Sequence, residues 1–156
     1  MEDLMKDVEE EAREFWAKKE QEKGGKVEFY TFATYMGRWS DRSVTLGGLI
    51  YIIKNSIYFE DFEKENWILR IVQRKSKYEK TEFSINIADI SETKMTSRNS
   101  ALNCIEGLIE PGSTKTLAPI MKLLAKPVVQ INLKNGSALF FEIMKAGEFI
   151  NSLQAV

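Results

Sequence analysis

A mainly β, α+β fold is predicted for this chain: an antiparallel barrel of about seven strands, plugged by a C-terminal helix. Three features predict it. The last thirty residues hold two alternating strands around Lys134-Asn135-Gly136, followed by a short amphipathic helix. Upstream, a succession of short aromatic and β-branched runs begins at residue 27. Finally, residues 2–23 carry helical rather than strand periodicity, so the β region starts only after a leading helix.

In that leading segment Leu4, Met5, Val8, Ala12, Phe15 and Trp16 follow one-face helical spacing. Glu2 and Asp3 stand early, and Lys18, Lys19 and Lys23 late, which complements the helix dipole. Gly24-Gly25 stops the helix, so residues 1–25 form a unit preceding the barrel of residues 26–156. The stripe suits packing on the protein's own barrel, a partner, or a homodimer through this helix. Nine acidic against five basic side chains in residues 2–23 argue against an anionic membrane surface, because helices that bind one carry Lys and Arg.

Residues 27–36 read as the first strand and residues 37–48 as a loop. Residues 49–53 and 57–62, joined through Lys54-Asn55-Ser56, form a hairpin; residues 67–73 continue the meander, and residues 82–87 add a fifth strand with Phe83, Ile85 and Ile87 on one face. From about residue 91 to residue 127 the alternation stops, which predicts a partly helical insertion. Within it Leu117, Ile120, Met121 and Leu124 share one helical face behind Thr116 as N-cap, with Pro119 in the first turn, and Leu102, Ile105 and Leu108 mark another turn of helix.

The final hairpin makes a register claim. Val129, Ile131 and Leu133 alternate with polar residues, and Leu139, Phe141 and Ile143 with Phe140 and Glu142. A two-residue Asn135-Gly136 turn would set Val129 against Glu142 and mismatch the apolar faces. A three-residue loop ending in a left-handed Gly136 sets Ile131 against Leu139 and Val129 against Phe141. The terminal helix then presents Ala146, Phe149, Ile150 and Leu153 on one face, and it is too short to stand undocked.

At 156 residues, 44% hydrophobic and 29% charged, the chain has the composition of one globular domain. A net charge of −1 lacks the basic footprint of a dedicated nucleic-acid binder, so no nucleic acid is expected. The first residues have no signal-peptide pattern and no stretch reaches a membrane span, which together predict a cytoplasmic protein. Histidine is absent, which removes the usual neutral-pH base and the commonest metal ligand. Cys104 is the single cysteine and has no cation beside it in sequence, so it reads as a buried small hydrophobe.

Two further segments carry a resemblance. Gly48-Leu49-Ile50-Tyr51-Ile52-Ile53-Lys54-Asn55-Ser56-Ile57-Tyr58-Phe59 and Ser84-Ile85-Asn86-Ile87-Ala88-Asp89-Ile90 are similar to patterns of the pleckstrin-homology-like (PH-like) barrel group, including its GRAM and bacterial relatives. The resemblance covers roughly residues 27–156. It implies a seven-stranded antiparallel barrel capped by the C-terminal helix, serving as a binding module; the N-terminal helix and the insertion depart from the minimal domain. That group's phosphoinositide signature is a basic cluster across the first and second strands, where this chain has Thr34, Tyr35, Leu49 and Ile50.

Several constellations carry a functional and a plainer reading side by side. Arg38, Trp39 and Arg42 in the loop after the first strand are a candidate membrane or headgroup contact, with an indole folded onto the barrel as the competing reading. Arg70, Arg74, Lys75, Lys77 and Lys80 are a candidate anion patch, or a solvated turn. Asp61, Glu63 and Glu65 lack calcium-loop spacing. Tyr30, Tyr51, Tyr58 and Tyr78 offer stacking faces, though strand aromatics are more often core. No catalytic residue, metal or cofactor is indicated. The expectation is a non-enzymatic interaction module that takes a protein or peptide at the barrel's open edge or beside its C-terminal helix, with peripheral membrane or phosphoinositide binding as the alternative.

Overall fold

The computed structural model describes residues 2–62, 82–118 and 126–154. A helix, α1 (Glu2–Lys23), precedes β1 (Val27–Arg38), β2 (Leu46–Ile53), β3 (Ser56–Asp61), β4 (Glu82–Asn86) and β5 (Ile90–Thr96). Then come α2 (Arg98–Ile105), β6 (Val128–Leu133), β7 (Ala138–Ile143) and α3 (Ala146–Gln154). The strands form one antiparallel sheet in the order β4-β3-β2-β1-β7-β6-β5, so the fold is α+β and mostly β. The sheet is open: among the described residues β4 pairs only with β3, and β5 only with β6 apart from one bridge, Thr96 to Thr116.

The last hairpin has the predicted register. Ile131 faces Leu139 and Val129 faces Phe141. Gly136 N–H donates to the Leu133 carbonyl (3.0 Å) and Leu133 N–H to the Ser137 carbonyl (2.8 Å), leaving a three-residue loop with Gly136 at φ 91°. Asn135 accepts from Ser137 N–H through its side chain and tightens the loop.

Burial on both faces of the sheet explains the rest. On the inner face Ile50, Ile52, Phe59, Val129, Ile131, Leu139 and Phe141 form the main core, closed by Ala146, Phe149 and Leu153 of α3. Phe149 makes the short helix dock, because its ring is fully buried beside Phe29. On the outer face α2 lays Ala101, Cys104 and Ile105 over Met36, Val128, Ala138 and Phe140. Ser97 starts α2 by accepting from Ser100 N–H (3.1 Å). Fully buried Gln130 is satisfied by Thr114, the Pro111 carbonyl and Asn132, which fixes residues 111–114 across β6.

Three local expectations differ from the structure. Residues 91–96, read as the start of an irregular insertion, belong to strand β5; Ser91, Glu92, Thr93 and Lys94 carry no apolar alternation because β5 lies at the sheet's margin, with only Thr96 fully buried. β1 runs to Arg38 rather than stopping before Gly37. A bulge between Tyr35 and Gly37 keeps it in the sheet, and Gly37 at φ 134° brings the backbone under Ile105. Thr116, read as an N-cap, instead bridges Thr96. The expected strand at 67–73 and helical residues Pro119 to Leu124 lie outside the described residues.

Candidate binding surfaces

Among the described residues the outer margin of β4 has no strand partner, and its ladder to β3 sets which groups face that margin. Ile87 N–H donates to the Asn55 carbonyl (2.8 Å), and the register sets Ile57 against Ile85 and Phe59 against Phe83. Hydrogen-bonded and non-bonded pairs alternate along an antiparallel ladder. Ile57–Ile85 and Phe59–Phe83 are therefore the bonded pairs, and the backbone N–H and C=O of Glu82, Ser84 and Asn86 point away from β3. The other end of the sheet is partly occupied: Leu117 N–H donates to the Met95 carbonyl, and Lys94 reaches the Thr114 carbonyl.

Beside β4 lies a cleft of about 540 Å³ between that strand and the β6–β7 turn, lined by Phe83, Ile85, Leu133 and Leu139 with Arg38, Lys134 and Asp89 at charged positions. Thus Arg38 lines this cleft. Its loop companions go elsewhere: Trp39 is half-buried against the α2 cluster, its backbone N–H donating to the Ala138 carbonyl (2.9 Å), and Arg42 is exposed. The structure does not gather Arg38, Trp39 and Arg42 around an exposed indole. Arg70, Arg74, Lys75, Lys77 and Lys80 lie outside the described residues, as do Glu63, Glu65 and Tyr78.

On the outer face the tyrosines form the seat of α1. Trp16 packs on Tyr30 (4.6 Å between ring centroids) and Tyr51 (5.4 Å), and Tyr51 stacks on Tyr58 (5.3 Å). Lys19 pairs with buried Glu60 (2.6 Å), which accepts from the Tyr51 hydroxyl (2.9 Å). Burial and the adjacent Glu60 carboxylate push the Tyr51 hydroxyl pKa well above the phenol range. Lys23 lies over the Tyr58 ring and within 3.7 Å of Glu82. These contacts begin at Trp16. The first half of α1 projects beyond them with Leu4, Met5 and Val8 exposed.

Between the α1 seat and α2, the outer face has a second concavity of about 400 Å³, lined by Phe32, Phe62, Met144, Thr34, Gly47 and Lys126 among others. Phe32 and Phe62 are ring neighbours at 5.7 Å, and both are exposed, as is Met144. This groove is not among the sites expected from the sequence. Its signal was present in β1, where Tyr30 and Phe32 on one face alternate with core residues on the other.

Cys104 is fully buried, and burial raises its thiol pKa from 9.0 to about 11, so it is a packing residue. Among the described residues no group of three or more acidic or cysteine side chains is arranged to hold a metal. No described helix is long and apolar enough to cross a membrane.

No family model and no curated protein matches the chain. Among solved structures it is similar to the crystal structure of the C-terminal domain of an unknown protein from Leishmania infantum, at a TM-score of 0.51 and 10% identity over 95% of each chain; that likeness extends to the fold alone.

Proposed function

We propose that the protein is a non-enzymatic interaction module, built as a PH-like barrel, that takes an extended peptide segment of a protein partner along β4. The observation that carries this reading is the row of outward N–H and C=O groups on Glu82, Ser84 and Asn86 beside the cleft next to β4. A peptide strand added there gains main-chain hydrogen bonds, while alternate side chains enter the cleft between Phe83, Ile85 and Leu139. Arg38 and Lys134 outnumber Asp89 among the described lining residues, which favours an acidic residue beside those apolar anchors. α1 seats over Tyr30, Tyr51 and Tyr58 and so leaves the cleft beside β4 uncovered by that helix. The barrel assignment draws on the resemblance of residues 27–156, on the strand order, and on α3 closing the inner core.

The test is selection of peptides from a displayed random library on the intact protein and on Ser84→Pro. Proline at that position removes an outward donor without touching the β3 ladder. Selected peptides should lose binding to Ser84→Pro and to Arg38→Glu. Peptides that bind both variants as well as the parent would refute the β4 site.

A further inference from the structure

We infer that the first half of α1 docks into the Phe32–Phe62–Met144 groove of a second copy of this chain, giving a twofold dimer in which each copy both donates a helix and receives one. The two surfaces are complementary, and among the described residues neither is covered by another element of the same chain. On the donor side, Leu4, Met5 and Val8 are 70%, 68% and 62% exposed. They occupy one face of a helix whose second half is clamped to its own sheet by Trp16 and Lys19. Residues 2–14 carry seven acidic and two basic side chains, so the apolar stripe is framed by negative charge.

The receiving groove has the converse character. Among the described residues its apolar floor is Phe32, Phe62 and Met144, its lining cation is Lys126, and its lining carboxylate, Glu142, is already ion-paired with Arg98. At Gly47 a Cβ would meet nothing within 4 Å, which leaves room for an inserted side chain such as Leu4 or Val8. Recognition is thus helix-in-groove, with apolar anchors at positions i, i+1 and i+4 and acidic flanks meeting Lys126. Charge complementarity also disfavours direct pairing of two α1 stripes, since Glu2, Glu9 and Glu11 would then face acidic counterparts. Phe32 is two residues from Tyr30 on the same face of β1, so the groove adjoins the α1 seat. A twofold axis near that seat makes both insertions simultaneously, an isologous arrangement.

The test is light scattering coupled to size exclusion across a dilution series of the full chain, alongside three variants. The parent should be a dimer. Leu4→Glu with Val8→Glu on the donor helix should raise the dimer dissociation constant by about ten-fold or more, as should Gly47→Met in the groove. Lys126→Glu should weaken the dimer, and added salt should weaken the parent. Circular dichroism melts of each variant separate lost association from lost folding. Ser84→Pro should leave the dimer intact, so a failed peptide site and a failed dimer are distinguishable. A monomeric parent overturns the inference. So does a dimer broken by the helix variant but untouched by Gly47→Met and Lys126→Glu, which would place the helix against another surface, or a dimer that survives every variant.

Discussion

Gly48→Ala tests the β2–β3 register, on which the position of β4 depends. A Cβ at Gly48 would sit against the Glu60 carbonyl oxygen and 2.9 Å from Asp61 Cα, both backbone atoms of β3. Carbon pairs prefer about 3.5–4.0 Å, so β3 must move outward by close to 1 Å at that point. Overpacking of this kind costs about 1–3 kcal/mol, and each weakened ladder hydrogen bond adds about 1 kcal/mol. The sum is about 2–4 kcal/mol. Gly47 is the internal control, since its added Cβ meets nothing within 4 Å and its φ is not positive. Gly47→Ala should therefore stay within about 0.5 kcal/mol of the parent, or gain slightly from reduced chain entropy. Urea unfolding followed by tryptophan fluorescence reads the difference: the Gly48→Ala midpoint should fall by roughly 1–2 M, with Gly47→Ala unchanged. Equal midpoints for the two variants would refute the close strand approach and the pairing of Gly48 with Asp61.

Other consequences are as specific. Gly136→Ala should cost about 1–2 kcal/mol in the same urea assay, entirely from its φ of 91°, because no atom lies within 4 Å of the added Cβ; a neutral result would reject the three-residue loop. Trp16→Ala should release the second half of α1 from Tyr30 and Tyr51, read as faster amide exchange over residues 15–23 with the β1–β7 amides unchanged; unaltered exchange would contradict the seat. Cys104 is raised from 9.0 to about 11 by burial, so the folded state holds its proton more tightly than the unfolded chain. Its stabilising contribution is complete below pH 9 and is lost as pH rises towards 11. The stability difference between the parent and Cys104→Ala should shrink across that window, and a flat difference would show that the thiol is not desolvated.

Much of this architecture was legible because burial imposes a period on the sequence. The β6–β7 register followed from matching Val129 and Ile131 to Phe141 and Leu139, even though Asn135-Gly136 alone suggests a tighter turn. α3 followed from Phe149, Ile150 and Leu153 at one-face spacing. β5 was not legible, since a marginal strand with polar residues on both sides carries no alternation. α2 was only half visible: Leu102 and Ile105 marked it, but the start at Ser97 depends on a cap. The functional surfaces were harder still. A strand's free backbone groups leave no trace in its side chains, so the edge character of β4 emerges only from the sheet order. Arg38 was picked out for its loop neighbours, yet it belongs with Lys134 and Phe83, which lie far from it in sequence. The outer groove draws on β1, β2 and β7 together, and no single segment advertises it.

The measurement that bears most directly on the β4 reading is amide hydrogen exchange of Ser84 and Asn86, with and without a peptide selected on the intact protein. Both N–H groups point away from β3 and have no backbone acceptor among the described residues. They should exchange freely in the unbound protein and slow by about ten-fold or more on binding, while Ile85, already bonded across the ladder, changes little. Slowing confined to the neighbourhood of Phe32 and Met144, with Ser84 and Asn86 unaffected, would contradict strand addition at β4.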